Sequence, residues 1–374
     1  EMEVCMRGKM FVGFALVALV TSACSSTPAS TSEAMEMAPD VQVLQPPPGV
    51  DIDRSTATGQ VIDQQGMAGW YPHEGGLMEY RVAIRFGQEP PTMPEGWSFG
   101  RVSAVATDSN GQVFVFHRGE TADPIVVFDA EGTYVRSFGR DFDFGNEHGL
   151  RIDRHDNVWV TDNGNHRVMK LTNDGELLMT LGIKGQAGTT DDTFDRPADI
   201  AFGPNDELYV ADGYGNSRVV KYDAEGNFVT TWGVPGSAPG EFDLVHSVAV
   251  DSQGRVYASD RENNRIQIFD ENGEFLKMWT NLGATQNIFI TPDDQVWVIT
   301  HRDNVENITY DTLAGRIMNV DIDSGEIIGA MESPGHWLDV SEGGDIFIGS
   351  LTGNVFRWYQ GWMATEEAAQ AERP

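Results

Sequence analysis

Val160–Leu171 reads VTDNGNHRVMKL and Ser259–Phe269 reads SDRENNRIQIF, and the fold turns on these two stretches. Each leaves a strand, crosses a polar turn rich in Asn, and re-enters an apolar run through an arginine. Working outward, the same apolar entry recurs as Val113-Phe114-Val115, Val158-Trp159-Val160, Leu208-Tyr209-Val210, Val256-Tyr257-Ala258, Val296-Trp297-Val298 and Ile346-Phe347-Ile348, six copies in all. Turns such as Ser109-Asn110-Gly111 and Ser252-Gln253-Gly254 precede these strands, and runs such as Arg218 to Tyr222 and Arg265 to Phe269 follow them. Glu131-Gly132, Glu225-Gly226 and Asn272-Gly273 then supply hairpin turns, because glycine accepts the left-handed backbone that such turns need. Phe138-Gly139, Leu181-Gly182, Trp232-Gly233 and Leu282-Gly283 each close a unit. Four short antiparallel strands in each of six units of about 40 to 50 residues predict an all-β, six-bladed β-propeller. The sixth unit ends after its third strand, Val355 to Tyr359. EYRVAIRFG at Glu79 to Gly87 resembles GTYVRSFG at Gly132 to Gly139, and is expected to be the N-terminal outer strand that closes the ring.

The 374 residues carry a formal net charge of −32, which argues against duplex nucleic acid as a partner, since phosphate is bound by clustered Lys and Arg. Arg7-Gly8-Lys9, the apolar run Met10 to Val20 and the small residues Thr21-Ser22-Ala23 have the form of a secretory signal, too short for a permanent membrane span. A cysteine directly after it resembles the bacterial lipobox, although Thr21 stands where Leu is usual, so Cys24 is expected to carry a lipid anchor. The chain should therefore be exported and held in the cell envelope, facing the periplasm or the exterior. Ser25 to Pro48 has a tether's composition. The expected organisation is a signal at 1–23, a disordered tether at 24–74, the propeller at 75–360 and a polar tail at 361–374. A closed ring with few exposed edges suits a monomer. Cys5 and Cys24 are the only cysteines, so a metal in the propeller must use His, Asp or Glu.

Registering each unit on the aromatic of its second strand and stepping back eleven positions gives Ser103, His148, Ala198, His246, Gln286 and His336. Histidine occupies every second blade at the start of the innermost strand, so three imidazoles are expected to converge on the axis. Three neutral His ligands with an open position suit a catalytic zinc site. The alternative is a set of pore-lining histidines bonded to water. His73, His117, His155, His166 and His301 lack this symmetry and read as surface or loop residues. Just past the registering aromatics lie Arg118, Asp162, Asp212, Tyr214, Asp260, Arg261 and His301. The aspartates are expected to tie loops. Arg118 and Arg261 can grip a carboxylate, and Tyr214 beside a Lewis acid can serve as a base.

The blade motifs resemble the NHL repeat. Phe116-His117-Arg118-Gly119, Glu147-His148-Gly149-Leu150, Asp212-Gly213-Tyr214-Gly215-Asn216-Ser217-Arg218, Val245-His246-Ser247 and Asp260-Arg261-Glu262-Asn263 more specifically resemble the peptidyl-alpha-hydroxyglycine alpha-amidating lyase family. That resemblance covers about Gly75 to Tyr359. It implies zinc on His148, His246 and His336, Tyr214 as the base, and Arg118 and Arg261 as the charge-stabilising and carboxylate-binding residues. The implied reaction splits a peptidyl-alpha-hydroxyglycine into an amide and glyoxylate. It also implies calcium on the backbone carbonyls of Val105 and Leu150, completed by an aspartate after the last histidine. Here Ser333-Pro334-Gly335-His336-Trp337 departs from the family, with Pro334 for a methionine and Trp337 for that aspartate, which leaves calcium open. Gly215 stands where the family has a disulfide cysteine. Two other readings also stay open: a lipid-anchored scaffold with a structural metal, and a propeller lactonase or hydrolase.

Overall fold

The computed structural model describes residues 68–73, 76–84, 86–87, 92–302, 315–332 and 335–360. The signal, Cys5, Cys24, Ser25 to Pro48 and the tail at 361–374 lie outside the described residues.

Valine, isoleucine and aromatic residues dominate the second and third strands because both faces of each sheet pack against neighbouring sheets. The second strands Val113–His117, Val158–Asp162, Leu208–Asp212 and Val256–Asp260 are buried at every position. Outer strands such as Leu177–Leu181 and Phe228–Trp232 leave nearly all of their residues exposed or half-buried. The result, among the described residues, is six sheets of four or five strands arranged as the blades of a β-propeller.

Blade one runs Val102–Thr107, Val113–His117, Ile125–Phe128 and Tyr134–Phe138, from the axis outward. Blades two, three and four begin at Glu147–Ile152, Asp199–Phe202 and Val245–Val250, and blade five at Ala284–Ile290. Blade six holds Trp337–Val340, Ile346–Gly349 and Val355–Gln360. The innermost strands touch in order around the axis, and Trp337–Val340 of blade six meets Val102–Thr107 of blade one. Gly76–Ile84 pairs antiparallel with Val355–Gln360, with Tyr80 opposite Gln360 and Ile84 opposite Phe356. Ala68–His73 adds a fifth strand to that sheet, so the stretch read as tether to residue 74 already contains strand. Trp279 ends the outer strand of blade four, and the expected stop at Leu282-Gly283 lies in the crossing to blade five.

Candidate metal centre

Three histidines from alternate blades come together. One ligand-capable nitrogen of each of His148, His246 and His336 lies within 4.8 Å of the others, and their ring centroids are 4.9, 5.0 and 5.1 Å apart. They are the one such cluster of three or more His, Cys, Asp or Glu among the described residues.

The backbone aims them. Innermost-strand pairing shifts by a residue across Ser103, His148-Gly149, His246 and Gln286, so the registered position is a β-bulge in these blades. A bulge re-aims the side chain it carries. Each imidazole is then locked by the carbonyl at the registered position of the next blade. His148 Nδ1 donates to Ala198 at 2.8 Å, His246 Nδ1 to Gln286 at 2.6 Å, and His336 Nδ1 to Ser103 at 2.6 Å. Since a carbonyl only accepts, Nδ1 carries the hydrogen and Nε2 carries the lone pair, as in a metal-binding histidine whose other ring nitrogen is held by a backbone carbonyl. Gly149 makes the fit possible, because a Cβ there would lie 2.7 Å from the Ala198 carbonyl and 2.8 Å from the Trp337 indole.

Tyr214 closes the cluster. Its hydroxyl lies 3.1 Å from His148 Nε2 and 2.9 Å from His246 Nε2. One O–H cannot satisfy two lone pairs, so this buried set has spare electron pairs. Burial holds the His148 and His246 imidazoles well below the usual histidine range, with neighbouring cations acting in the same direction. A neutral, converging donor set of this kind fits a transition-metal ion.

The arginines flank it. Arg261 lies 5.7 Å over the Tyr214 ring, and pairs with Glu262 at 2.8 Å and with Gln286 Oε1 at 3.3 Å. Arg118 donates from Nε to the Glu147 carbonyl at 2.8 Å, one residue before His148. Burial lowers the Arg118 guanidinium and raises the Glu147 carboxyl beside it. The aspartates behave as ties: Asp162, Asp212 and Asp260 accept Arg167, Arg218 and Arg265 at 2.9, 2.9 and 2.7 Å, together with backbone amides of the preceding loop.

His117 corrects the sequence reading. It is fully buried, because it ends the second strand of blade one where Asp162, Asp212 and Asp260 end theirs. Its Nδ1 accepts Gly119 N–H at 2.8 Å and Gly100 N–H at 3.4 Å, doing with a neutral ring what a carboxylate does in the other blades. That shared register was the signal available in sequence. His155 is exposed and His166 partly exposed, as their loops suggest, while the side chains of His73 and His301 lie outside the description. Val105 and Leu150 are fully buried, and the residue that follows His336 is the equally buried Trp337.

NHL repeats match at residues 148–171, 194–222 and 242–269. Human NHL repeat-containing protein 3 is 33% identical over 237 residues, covering 59% of this chain and 67% of that protein. Rat peptidylglycine alpha-amidating monooxygenase is 32% identical over 295 residues, 68% of this chain and 30% of the other. A probable peptidyl-alpha-hydroxyglycine alpha-amidating lyase of Caenorhabditis elegans is 33% identical over 195 residues, 46% of this chain and 55% of that protein. The chain thus spans two thirds of the first and less than a third of the second. A solved streptogramin B lyase superimposes with a TM-score of 0.52 at 15% identity, covering 75% of this chain and 98% of that one, a likeness of fold.

Proposed function

From the premise that this chain belongs to the NHL-repeat family and is homologous to the alpha-amidating lyases, we propose that it is a lyase that splits an alpha-hydroxyglycine carbinolamide into an amide and glyoxylate. One observation carries the reading: the Tyr214 hydroxyl stands within hydrogen-bond distance of two of the three axial imidazoles. A scaffold with a structural metal has no need of a phenol there.

His148, His246 and His336 would hold zinc through three neutral nitrogens. When bound, the ion polarises the substrate's hydroxyl oxygen as a Lewis acid. Tyr214 is the base for the substrate's hydroxyl proton. The O–H pair becomes the new C=O bond, the C–N pair goes to nitrogen, and nitrogen takes a proton to give the amide. Arg118 and Arg261 bind the substrate carboxylate and hold the carbinol carbon against Tyr214. Arg261 is the more occupied of the two, since Glu262 already pairs with it. We also propose export, a lipid anchor at Cys24, a cell-envelope location and a monomeric state.

The test is glyoxylate release from alpha-hydroxyhippurate by the zinc-loaded chain. Tyr214→Phe should retain zinc and lose turnover by about 100-fold or more. Unchanged turnover in that variant rejects the base. A zinc-loaded chain inactive on several alpha-hydroxy amides rejects the lyase and leaves the scaffold.

A further inference from the structure

The innermost strands carry a second buried assembly that the lyase chemistry does not use. Arg151 of blade two donates from Nε and Nη2 to Asp199 of blade three at 3.1 and 2.7 Å. The same Nη2 reaches the Ile288 carbonyl of blade five at 2.9 Å. Its guanidinium carbon lies 4.8 Å over the Trp337 ring of blade six. One side chain can touch blades three, five and six from blade two only by crossing the axial channel. Trp337 in turn lies 6.2 Å, ring to ring, from both His148 and His336. Asp199 is fully buried and also accepts Ser247 Oγ at 2.7 Å and the Val248 amide at 3.2 Å. Asn287 extends the network, donating to Ser247 at 3.2 Å and accepting the Leu338 amide at 3.2 Å.

This arrangement bears on the calcium that the family resemblance implies at Val105 and Leu150. The aspartate that would complete such a site is Trp337, and the nearby buried acids are engaged: Asp199 by Arg151, and Asp339 by Thr107 at 2.6 Å. Asp339 is turned to Thr107, whose hydroxyl and amide it accepts, and the position after His336 brings an indole instead of a carboxylate; a pair of carbonyls without that carboxylate is a poor calcium site. We infer that Arg151 is the channel's resident cation: its guanidinium, seated on Trp337 and neutralised by Asp199, ties blades two, three, five and six together and replaces a second metal ion. The protein then holds one metal, at the imidazoles, and folds without calcium.

Elemental analysis of the purified full chain after desalting from millimolar calcium, calorimetric titration of calcium into it, and its Tm with and without added calcium test this directly. The expected result is no retained calcium, no heat of binding and one Tm. Stoichiometric calcium, or a Tm raised by it, overturns the inference. Arg151→Met should lower Tm by about 10 °C, because it strands the Asp199 charge, and adding Asp199→Asn should recover most of the loss. If Arg151→Met does not fold, restored folding in the double variant supports the role. An Arg151→Met Tm equal to that of the wild type, or no recovery in the double variant, removes it.

Discussion

His117 and the strand-end aspartates answer one requirement with two chemistries. The loops entering blades one to four present backbone amides that need an acceptor. Asp162 and Asp260 supply carboxylates, whereas His117 supplies a neutral ring nitrogen. Because Nδ1 accepts, Nε2 carries the hydrogen, and it is buried without a partner. Burial accordingly lowers the His117 pKa to about 4. The sign follows from linkage: in the unfolded chain the ring binds a proton below about 6.5, while in the folded chain it does so only below about 4. Its share of stability is therefore complete above about 6.5 and is lost as pH falls through that window, at roughly 1.4 kcal/mol per pH unit. His117→Gln, which keeps an acceptor but cannot titrate, should show a shallower fall in unfolding free energy across the same range by that amount. Parallel pH profiles for the two proteins would refute the assignment. At this scale the three axial histidines were legible in sequence, because they follow from a fixed offset, whereas Tyr214 was marked only by its place just past a registering aromatic and by the family resemblance. The burial of His117 was legible too, but only to a reader who aligned it with an aspartate.

Between strands, the tie rather than the single residue sets where a rim side chain stands. Asp260 ends the second strand of blade four, accepts Arg265 at 2.7 Å and the Asp243 amide at 2.7 Å, and is followed directly by Arg261. The carboxylate is fully buried, and Arg265 is nearly so. Removing its charge leaves a buried guanidinium uncompensated, a loss of about 3 kcal/mol in comparable buried pairs. Asp260→Asn should thus lower the urea midpoint at unchanged m-value. It should also raise KM for alpha-hydroxyhippurate, the carboxylate-bearing substrate of the proposed reaction, more than it lowers kcat, because Arg261 is displaced while Tyr214 is not. A variant with wild-type KM would separate the tie from the rim. The bulges belong to this scale as well. Sequence shows a period but not the extra residue in a ladder, since a bulge is defined by the partner strand's register and not by its own composition.

Across the ring, the imidazoles join blades two, four and six, and each is braced on the blade that follows. An ion bound there links sectors far apart in the chain and is absent from the unfolded state, so its removal acts on the whole molecule. Chelation should lower the unfolding free energy by about 4 kcal/mol where free zinc had exceeded its Kd a thousandfold. Chelation should leave the Tm of His246→Ala almost unmoved. A wild-type Tm indifferent to chelator would mean that the triad holds no ion.

Repetition by itself determined the blade count, the strand order within a blade and the alternate-blade histidines, because strand patterning and turn chemistry are local and each blade restates them. What only the tertiary structure decided is which groups meet on the axis. His336 is braced by Ser103, 233 residues earlier in the chain, and Arg151 crosses from its own blade to Ile288 and Trp337. Such contacts depend on the angle between blades and on how far a bulged strand turns its side chains inward. Those quantities arise only when six sheets close on one another, and no stretch of sequence contains them.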